Sequence, residues 1–471
     1  MSPLPEQPLS PLDGRYRFAV SALGEHLSEA GLNRARVHVE VEWLLYLTDN
    51  EFFGSKRPDA EQARSLRAVV ADFGQADIDE LAELEATTRH DVKAVEYYVR
   101  ARLVDLGLTD VAELTHFACT SEDINNLSYA LTIRSAVQDV WLPKVMAVMA
   151  ILENLAVAHR GDAMLAHTHG QPATPTTVGK EFAVFVGRLR RIVSAVGATE
   201  YLGKFSGATG TFAAHVAADP ARDWPAISRE FVTSLGLDWN PLTTQIEPHD
   251  WQSELYQRIS HTNRVMHNLC TDIWTYISMG YFTQIPQAGA TGSSTMPHKI
   301  NPIRFENAEA NLELSCALLD SLAATLVTSR LQRDLTDSTT QRNVGVALGH
   351  SLLALDNIQR GLGEIAVNSE RLAADLDANW EVLGEAIQTV IRAEVTAGRS
   401  SIADPYAMLK ELTRGRRVGP DELRAFVDGL DMGDEAKSRL VALTPATYVG
   451  LASELVDYLD QRPSAIEPVE R

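Results

Sequence analysis

Long runs of helical periodicity constrain the fold of this 471-residue chain more than any other sequence feature. Apolar residues recur at the spacing of one helix face across residues 141–159, 302–329 and 339–366. Helices in globular proteins average about 11–12 residues, so runs of this length indicate an elongated bundle. Strand signals are few and short. The sequence therefore predicts an all-α fold.

Four short motifs mark expected helix starts. Thr174-Pro175 and Asn301-Pro302 each combine an N-cap residue with a proline at the first helical position. Thr120-x-x-Asp123 and Ser338-x-x-Gln341 have the spacing of capping boxes. Each motif predicts that a helix begins there.

At about 150 residues per domain, the length of the chain predicts three domains. Soft boundaries near residues 112 and 365 give an N-terminal helical domain (1–111), a central long-helix domain (112–364) and a C-terminal helical domain (365–471).

Composition excludes several classes of protein. A net charge of −21 argues against nucleic-acid binding, which needs a basic face, although clustered cations can still bind a small anion. Three scattered cysteines suit neither a disulfide framework nor a zinc site. We expect no membrane span and no secretory signal, because we find neither an apolar run of about 18 residues nor a basic start before an apolar stretch. These features favour a cytoplasmic protein.

Six polar blocks interrupt the apolar pattern and are candidate sites of chemistry. They cover residues 13–16, 88–91, 120–123, 167–172, 289–302 and 333–338. No GxGxxG, GxxxxGK[ST] or GxSxG motif is present, so NAD, ATP and serine-hydrolase chemistry lack support.

The block ending at residue 302 has the features of a strong anion site. Gly289 and Gly292 allow a flexible loop, and Lys299 lies next to the positive end of the helix expected after Asn301-Pro302. The same residues also suit a helix-capping loop with surface hydroxyls, and local chemistry leaves both interpretations open.

His167 and His169 have the spacing of a metal-ligand pair, but no third ligand is nearby in the sequence. A structural histidine is one alternative. General acid–base catalysis is the other, because the usual imidazole pKa lies close to neutral pH.

The remaining blocks also have structural alternatives. Thr120 and Ser121 suit a helix cap, whose free N–H groups can equally bind a carboxylate. Asp91 can orient His90 or lie in an exposed turn. On an isolated helix, Arg333 and Arg342 would be ordinary solvated charges.

The sequence of these blocks resembles a known enzyme family. GSSTMPHKINP resembles the signature loop of the fumarase/aspartase superfamily, GSSxMPxKxNP, and THGQPATP resembles the histidine block of its adenylosuccinate lyase branch. TTRHDVKAVEYY, HFACTSEDINNLSYAL and RDLTDSTTQRN strengthen the resemblance, which extends from residue 13 to residue 418 and is closest to the longer bacterial type.

The resemblance implies a homotetramer of three-domain, mostly helical chains. Their central domains form a core of about twenty helices, and each active site takes loops from three subunits. The N-terminal domain supplies substrate-binding loops and the central domain supplies catalytic loops. The implied reaction removes fumarate from adenylosuccinate and from succinylaminoimidazole carboxamide ribotide, without a cofactor or a metal.

The resemblance also implies roles for individual residues. Ser293 is expected to be the general base and His169 the general acid. The expected substrate-binding residues are Arg15, Tyr16, Arg89, His90, Asp91, Thr120, Ser121, Gln245, Ser294, Lys299, Asn301, Asn307, Arg333, Ser338 and Arg342.

Within that set, different residues are expected to hold different parts of the substrate. The nucleotide phosphate and polar groups are expected to bind to Arg15, Tyr16, Arg333, Ser338 and Arg342. The succinyl carboxylates are expected to bind to Thr120, Ser121, Lys299 and Asn301.

Two other functions are consistent with the sequence. One is a different lyase of the superfamily, such as an argininosuccinate lyase. The other is a non-enzymatic structural protein, which would have no need of His169, Ser293 and Lys299 together.

Overall fold

The structure, a computed structural model, describes residues 8–286, 296, 299–413 and 418–460. Helix accounts for 67% of it and strand for 5%, which confirms the predicted all-α class.

The helices of the first half of the chain alternate with short connections. They are α1 (Arg17–Leu27), α2 (Glu29–Asp49), α3 (Ala60–Ala71), α4 (Gln75–Thr88), α5 (Asp91–Asp105), α6 (Ser121–Ser135), α7 (Leu142–Ala158), α8 (Val178–Gly197), α9 (Ala213–Ala218) and α10 (Trp224–Ser234).

The second half begins with two of the longest helices. The helices there are α11 (Asp250–Ser278), α12 (Ile303–Leu326), α13 (Thr336–Gln341), α14 (Val344–Leu362), α15 (Ser369–Asp377), α16 (Gly384–Thr396), α17 (Pro405–Thr413), α18 (Pro420–Asp428), α19 (Asp434–Ala442) and α20 (Ala452–Leu455). In the described part of the chain, short 3₁₀ helices cover Phe52–Gly54, Thr109–Leu114, Trp380–Leu383 and Val456–Leu459.

A π-helical turn, Ala136–Trp141, joins α6 to α7 and makes one helical run, Ser121–Ala158. The run has a window of mean hydropathy 1.6 and is long and apolar enough to cross a membrane by length and composition alone. A core helix of a soluble protein meets the same criterion, so this single run is weak evidence for a membrane span.

Short strands form three two-stranded sheets. β1 (Ala163–Thr168) and β2 (Gln171–Thr177) form an antiparallel hairpin. β3 (Leu202–Gly203) pairs in parallel with β4 (Asp238–Trp239), and β5 (Phe282–Gln284) pairs antiparallel with β6 (Ile365–Val367).

The helix start predicted at Thr174-Pro175 is wrong. Both residues lie in β2, and α8 begins only at Val178. Proline lacks a backbone N–H, which a two-stranded sheet tolerates because each strand has an unpaired edge. Thr176 and Thr177 pair with β1, so the hairpin continues past the proline.

The other predicted helix starts have mixed outcomes. At Thr120-x-x-Asp123 the box is confirmed, because the Thr120 N–H donates to Asp123 Oδ2 at 2.8 Å and α6 begins at Ser121. The start at Asn301-Pro302 is confirmed within one residue, since the Pro302 carbonyl accepts the first bonds of α12.

The box predicted at Ser338 is wrong, because Ser338 lies inside α13. Asp334 Oδ1 instead accepts the N–H of Thr336, the first residue of α13, at 2.8 Å. The helix predicted over 339–366 is also interrupted, since α13 ends at Gln341 and α14 begins at Val344.

The described residues pack into two compact units. The first lies within Met1–Val145, Ile192–His267 and Ala308–Asp356, and the second within Met146–Arg191, Asn268–Asn307 and Asn357–Arg471. The three-domain division stays a prediction.

In the first unit, α2 packs against α5 and α6. Trp43 of α2 is buried, with its ring 4.6 Å from that of Phe205 and 4.9 Å from that of Phe231 on α10. Its indole N–H donates to the Phe117 carbonyl at 3.1 Å. This aromatic cluster connects α2 and α10 to the segment that leads into α6.

In the second unit, a compact apolar core forms among α16, α18 and α19. Its buried members include Ile387, Ile391, Leu423, Val427 and Leu440. These residues recur at three- or four-residue intervals on their helices, which gives each helix one apolar face.

A buried carboxylate of α2 holds the segment before α6. Glu40 is completely buried, and its two oxygens accept from His116, one from the backbone N–H at 3.0 Å and one from Nδ1 at 2.6 Å. His116 and Ala118 both have φ of +57°, a left-handed conformation that non-glycine residues adopt at a cost. The double contact with Glu40 stabilises this bend.

Burial alone would lower the pKa of His116, but the hydrogen bond and charge of Glu40 outweigh it and raise that pKa above its usual value. A raised folded-state pKa stabilises the protein below the unfolded-state pKa, near 6.5, and the stabilisation is lost as pH rises through the folded-state value.

We therefore expect Glu40→Gln to cost more stability at about pH 6 than at about pH 9, because the protonated ring gains more from the carboxylate than the neutral ring does. The measurement is the urea midpoint of variant and wild type at both pH values. Glu113→Gln, which changes an exposed carboxylate bonded to Arg100, serves as control and should show a small effect at both. A decrease in the urea midpoint of Glu40→Gln that is equally large at both pH values would contradict the prediction.

Candidate active site

The N-terminus of α5 presents two of the predicted residues. His90 is the N-cap, and its Nδ1 accepts the Lys93 N–H at 3.3 Å. In the neutral ring the proton therefore lies on Nε2, which can donate to Ser121 Oγ at 3.5 Å. The contact brings the predicted blocks at 88–91 and 120–123 together.

Asp91 lies between two arginines. Its Oδ2 accepts from Arg36 Nη2 at 2.8 Å and from Arg342 Nη2 at 3.2 Å. Burial would raise the pKa of the Asp91 carboxyl, but Arg36, the Val92 N–H and Arg342 together hold it below its usual value. Asp91 is thus an anion that orients Arg342.

The start of α6 is held by a buried ion pair. Asp123 Oδ1 lies 3.0 Å from Lys204 Nζ, and both side chains are completely buried. Asp123 also accepts the backbone N–H groups of Ser206 at 2.8 Å and Gly207 at 3.1 Å. These contacts position Thr120 and its neighbour Ser121 at the N-terminus of α6.

Arg333 and Gln245 are in direct contact, although 88 residues separate them in sequence. Arg333 Nη1 donates to Gln245 Oε1 at 3.3 Å, and its Nη2 lies 3.0 Å from Glu122 Oε1. Gln245 Nε2 in turn donates to the Ala208 carbonyl at 3.0 Å. A predicted phosphate-binding residue is therefore held beside the predicted succinyl-binding region.

Ser338 and Arg342 belong to the same segment as Arg333. Ser338 is half-buried in α13, and Arg342 directly follows that helix. Arg342 Nη1 lies 2.5 Å from Glu29 Oε1, in addition to its contact with Asp91. The first unit thus assembles cations that are each paired with at least one carboxylate.

Three predicted residues take no part in the contacts described above. The Arg15 guanidinium lies 5.7 Å from the centre of the Tyr16 ring, next to the start of α1. Arg89 is exposed, with φ of +52° at the end of α4. Their binding roles stay predictions.

In the second unit, His169 occupies the tip of the β1–β2 hairpin. Thr168 pairs with Gln171, so His169 and Gly170 form a two-residue turn. Both have positive φ, +53° and +73°, as such a turn requires. The turn leaves the His169 ring exposed, where a second molecule can reach it.

Other predicted residues of the second unit lie near the start of α12. The Lys299 N–H donates to the Met296 carbonyl at 2.9 Å, and Asn301 is half-buried two residues before α12. Asn307 Oδ1 accepts from Asn357 Nδ2 at 3.0 Å. Lys299 therefore lies close to the positive end of a long helix, as the sequence predicts.

Ser293 and Ser294, with Gly289 and Gly292, lie outside the described residues. Their roles stay predictions.

No group of three histidine, cysteine, aspartate or glutamate side chains with metal-binding geometry occurs in the described part of the chain. The His167 ring lies 6.2 Å from the ring of Tyr281, and His169 is on the exposed turn. Neither has described companions that would complete a metal site.

Several supporting residues were not predicted from the sequence. They are Arg36, Glu40, His116, Asn125 and Lys204. The one available signal is spacing, because Arg36 and Glu40 lie four residues apart and therefore on one face of a helix, although Arg34, His38 and Glu42 beside them are also polar. Lys204 lies in a short connection and carries no such signal.

Two family models match the chain. One, described as "Lyase", covers residues 14–315, and one, described as "Adenylosuccinate lyase C-terminal", covers residues 329–449. The chain is 48% identical over 453 residues to the adenylosuccinate lyase of Escherichia coli strain K12, a match that covers 96% of this chain and 98% of the relative. The adenylosuccinate lyase of Haemophilus influenzae matches with the same identity and coverage.

Among solved structures, a fumarate lyase from Mesorhizobium sp. BNC1 matches with a TM-score of 0.74 and 20% identity. The match covers 94% of this chain and 99% of the other, and it shows a shared fold. Family models that span both halves of the sequence, together with relatives nearly half identical over almost the full length, establish that the chain belongs to the adenylosuccinate lyase family.

Proposed function

We propose that this protein eliminates fumarate from adenylosuccinate to give AMP, and from succinylaminoimidazole carboxamide ribotide to give the free carboxamide ribotide. The observation that carries the proposal is the 48% identity to adenylosuccinate lyases over 96% of the chain. The cluster of Arg333, Arg342, His90, Ser121 and Gln245 in the first unit supports it, because an anionic nucleotide needs such a concentration of cations and donors.

The chemistry requires two proton transfers. A base removes a proton from the succinyl Cβ, the electron pair forms the new C=C bond, and the C–N bond breaks. An acid then protonates the departing nitrogen. Negative charge builds up on the adjacent carboxylate in the transition state, and nearby cations and N–H groups stabilise it.

We assign the base to Ser293 and the acid to His169. A serine hydroxyl is a weak acid, so its ionisation needs nearby positive charge. Lys299 and the N-terminus of α12 are the candidates that the sequence places next to it. The exposure of His169 on a tight turn supports its role, since the imidazole is accessible to substrate.

The first test is the reaction itself. Purified protein mixed with adenylosuccinate should change the ultraviolet absorbance as the purine substituent is lost, and fumarate should accumulate in equal amount. Argininosuccinate serves as the control substrate and should stay intact. Cleavage of argininosuccinate alone would identify another lyase of the superfamily, and no cleavage of either would favour a structural protein.

The second test concerns the two assigned catalytic residues. We expect His169→Ala and Ser293→Ala each to lower kcat at least about 10²-fold, the usual contribution of a general acid or base. Circular dichroism should show an unchanged helical content. A folded variant with near-normal turnover would remove that residue from its assigned role.

We further propose that the protein is a homotetramer with active sites shared between subunits. Met146 and Val157 of α7 and Val184 of α8 are all between 43% and 56% exposed in the isolated chain. Large apolar side chains that are exposed in an isolated chain are typical of surfaces that other copies of the same chain cover in an oligomer.

Mixing the two inactive variants tests for shared sites. If different subunits supply His169 and Ser293, random mixed tetramers contain intact sites, about a quarter of the total at equal amounts. Activity should therefore return when His169→Ala and Ser293→Ala protein are denatured and refolded together. Refolding each variant alone is the control. A verified mixed tetramer without activity would show that one chain supplies both residues.

A further inference from the structure

Arg36 is a charged residue in the core of the first unit. It lies on α2 between apolar neighbours, and its side chain is only 2% exposed. Removing a guanidinium from water is costly, and an apolar side chain of similar volume often fills such a position with equal or greater stability. Stability alone therefore does not account for an arginine here.

The guanidinium of Arg36 has three hydrogen-bond acceptors. Nη2 donates to Asp91 Oδ2 at 2.8 Å, Nε to Asn125 Oδ1 at 2.9 Å and Nη1 to Asn33 Oδ1 at 2.9 Å. The guanidinium holds its N–H groups in a rigid planar fork, so the direction of each of these three hydrogen bonds is fixed relative to the others. Arg36 thereby fixes α2, the start of α5 and the first turns of α6 relative to one another.

One arm of this fork leads to Arg342. Asp91 Oδ2 accepts from both Arg36 and Arg342, so the position of the carboxylate sets the position of the second guanidinium. Asp91 also directly follows His90, the N-cap of α5.

The other arm leads to Arg333. Asn125 accepts from Arg36 Nε and donates through Nδ2 to Glu122 Oε1 at 2.8 Å. The same carboxylate oxygen lies 3.0 Å from Arg333 Nη2, and Arg333 contacts Gln245. The third acceptor, Asn33, lies on α2 itself and belongs to neither arm.

We infer that Arg36 is a positioning residue that sets the spacing of Arg333 and Arg342 for the anionic nucleotide; the inference rests on the function proposed above. Arg36 itself does not touch substrate. It acts through Asp91 on one side and through Asn125 and Glu122 on the other, so that two substrate-binding guanidinium groups are oriented before substrate arrives. Such preorganisation lowers the cost of binding.

The test is Arg36→Lys, which keeps the charge but replaces the fork by a single ammonium group. We expect KM for adenylosuccinate to rise about tenfold or more, because the hydrogen bonds of a charged group are lost, with kcat changed much less. Asn125→Ala, which cuts only the arm to Arg333, should also raise KM. Asn33→Ala removes the third acceptor, outside both arms, and is the matched control with an unchanged KM.

The urea midpoint of each variant measures its stability, so a rise in KM without a matching loss of stability can be assigned to positioning. A folded Arg36→Lys protein with a normal KM, or an Asn33→Ala protein whose KM rises as much as that of Asn125→Ala, would overturn the inference. Wild-type protein that leaves adenylosuccinate intact would overturn the proposed function and this inference with it, whereas active wild type beside an unaffected Arg36→Lys would overturn the inference alone.

Discussion

The ion pair between Asp123 and Lys204 is the contact on which the first unit depends. Both side chains are completely buried, and their charged atoms lie 3.0 Å apart. Two charges removed from water are tolerated only when further hydrogen bonds complete their environment. Asp123 obtains them from three backbone N–H groups, and Lys204 donates to the Gly207 carbonyl at 2.7 Å. The start of α6 and the segment after β3 therefore cannot separate without leaving a buried charge unpaired. The same segment contains the Ala208 carbonyl, which accepts a hydrogen bond from Gln245, so this acceptor is also held in place.

Carboxylates organise the cations of the candidate site. Asp91 holds Arg342, Glu122 holds Arg333, and Arg36 connects the two carboxylates through its direct contact with Asp91 and through Asn125. In a chain with a net charge of −21, these ion pairs match the three arginines with three carboxylates, counting Glu29 beside Arg342. The proposed binding of an anionic nucleotide therefore depends on oriented N–H donors more than on an excess of positive charge. The acidic residues keep the arginines in defined positions and reduce their mutual repulsion, while the remaining N–H groups stay available to a ligand.

Local sequence was a reliable guide where local interactions decide the structure. The capping box at Thr120, the start of α12 and the extent of α7 followed from neighbours within four residues. It failed where a distant partner competes. Thr174-Pro175 has the local features of a helix start, but pairing with β1 extends the chain there. Ser338 has the spacing of a cap, but Asp334 begins the helix earlier. For the site, the polar blocks include His90 and Ser121, which the first unit brings within hydrogen-bond distance, but they do not include Arg36.

The sequence by itself determined the helical class and the family, and it marked the polar blocks proposed to carry chemistry, because periodicity and ordered motifs are properties of neighbouring residues. Only the tertiary structure decided which blocks meet. Arg333 reaches Gln245 across 88 residues, Arg36 reaches Asp91 across 55, and Lys204 reaches Asp123 across 81, and no local pattern records such pairings. The physical reason is burial: a charge far from water must find its partner wherever packing brings one within hydrogen-bond distance, and packing is settled by the whole fold.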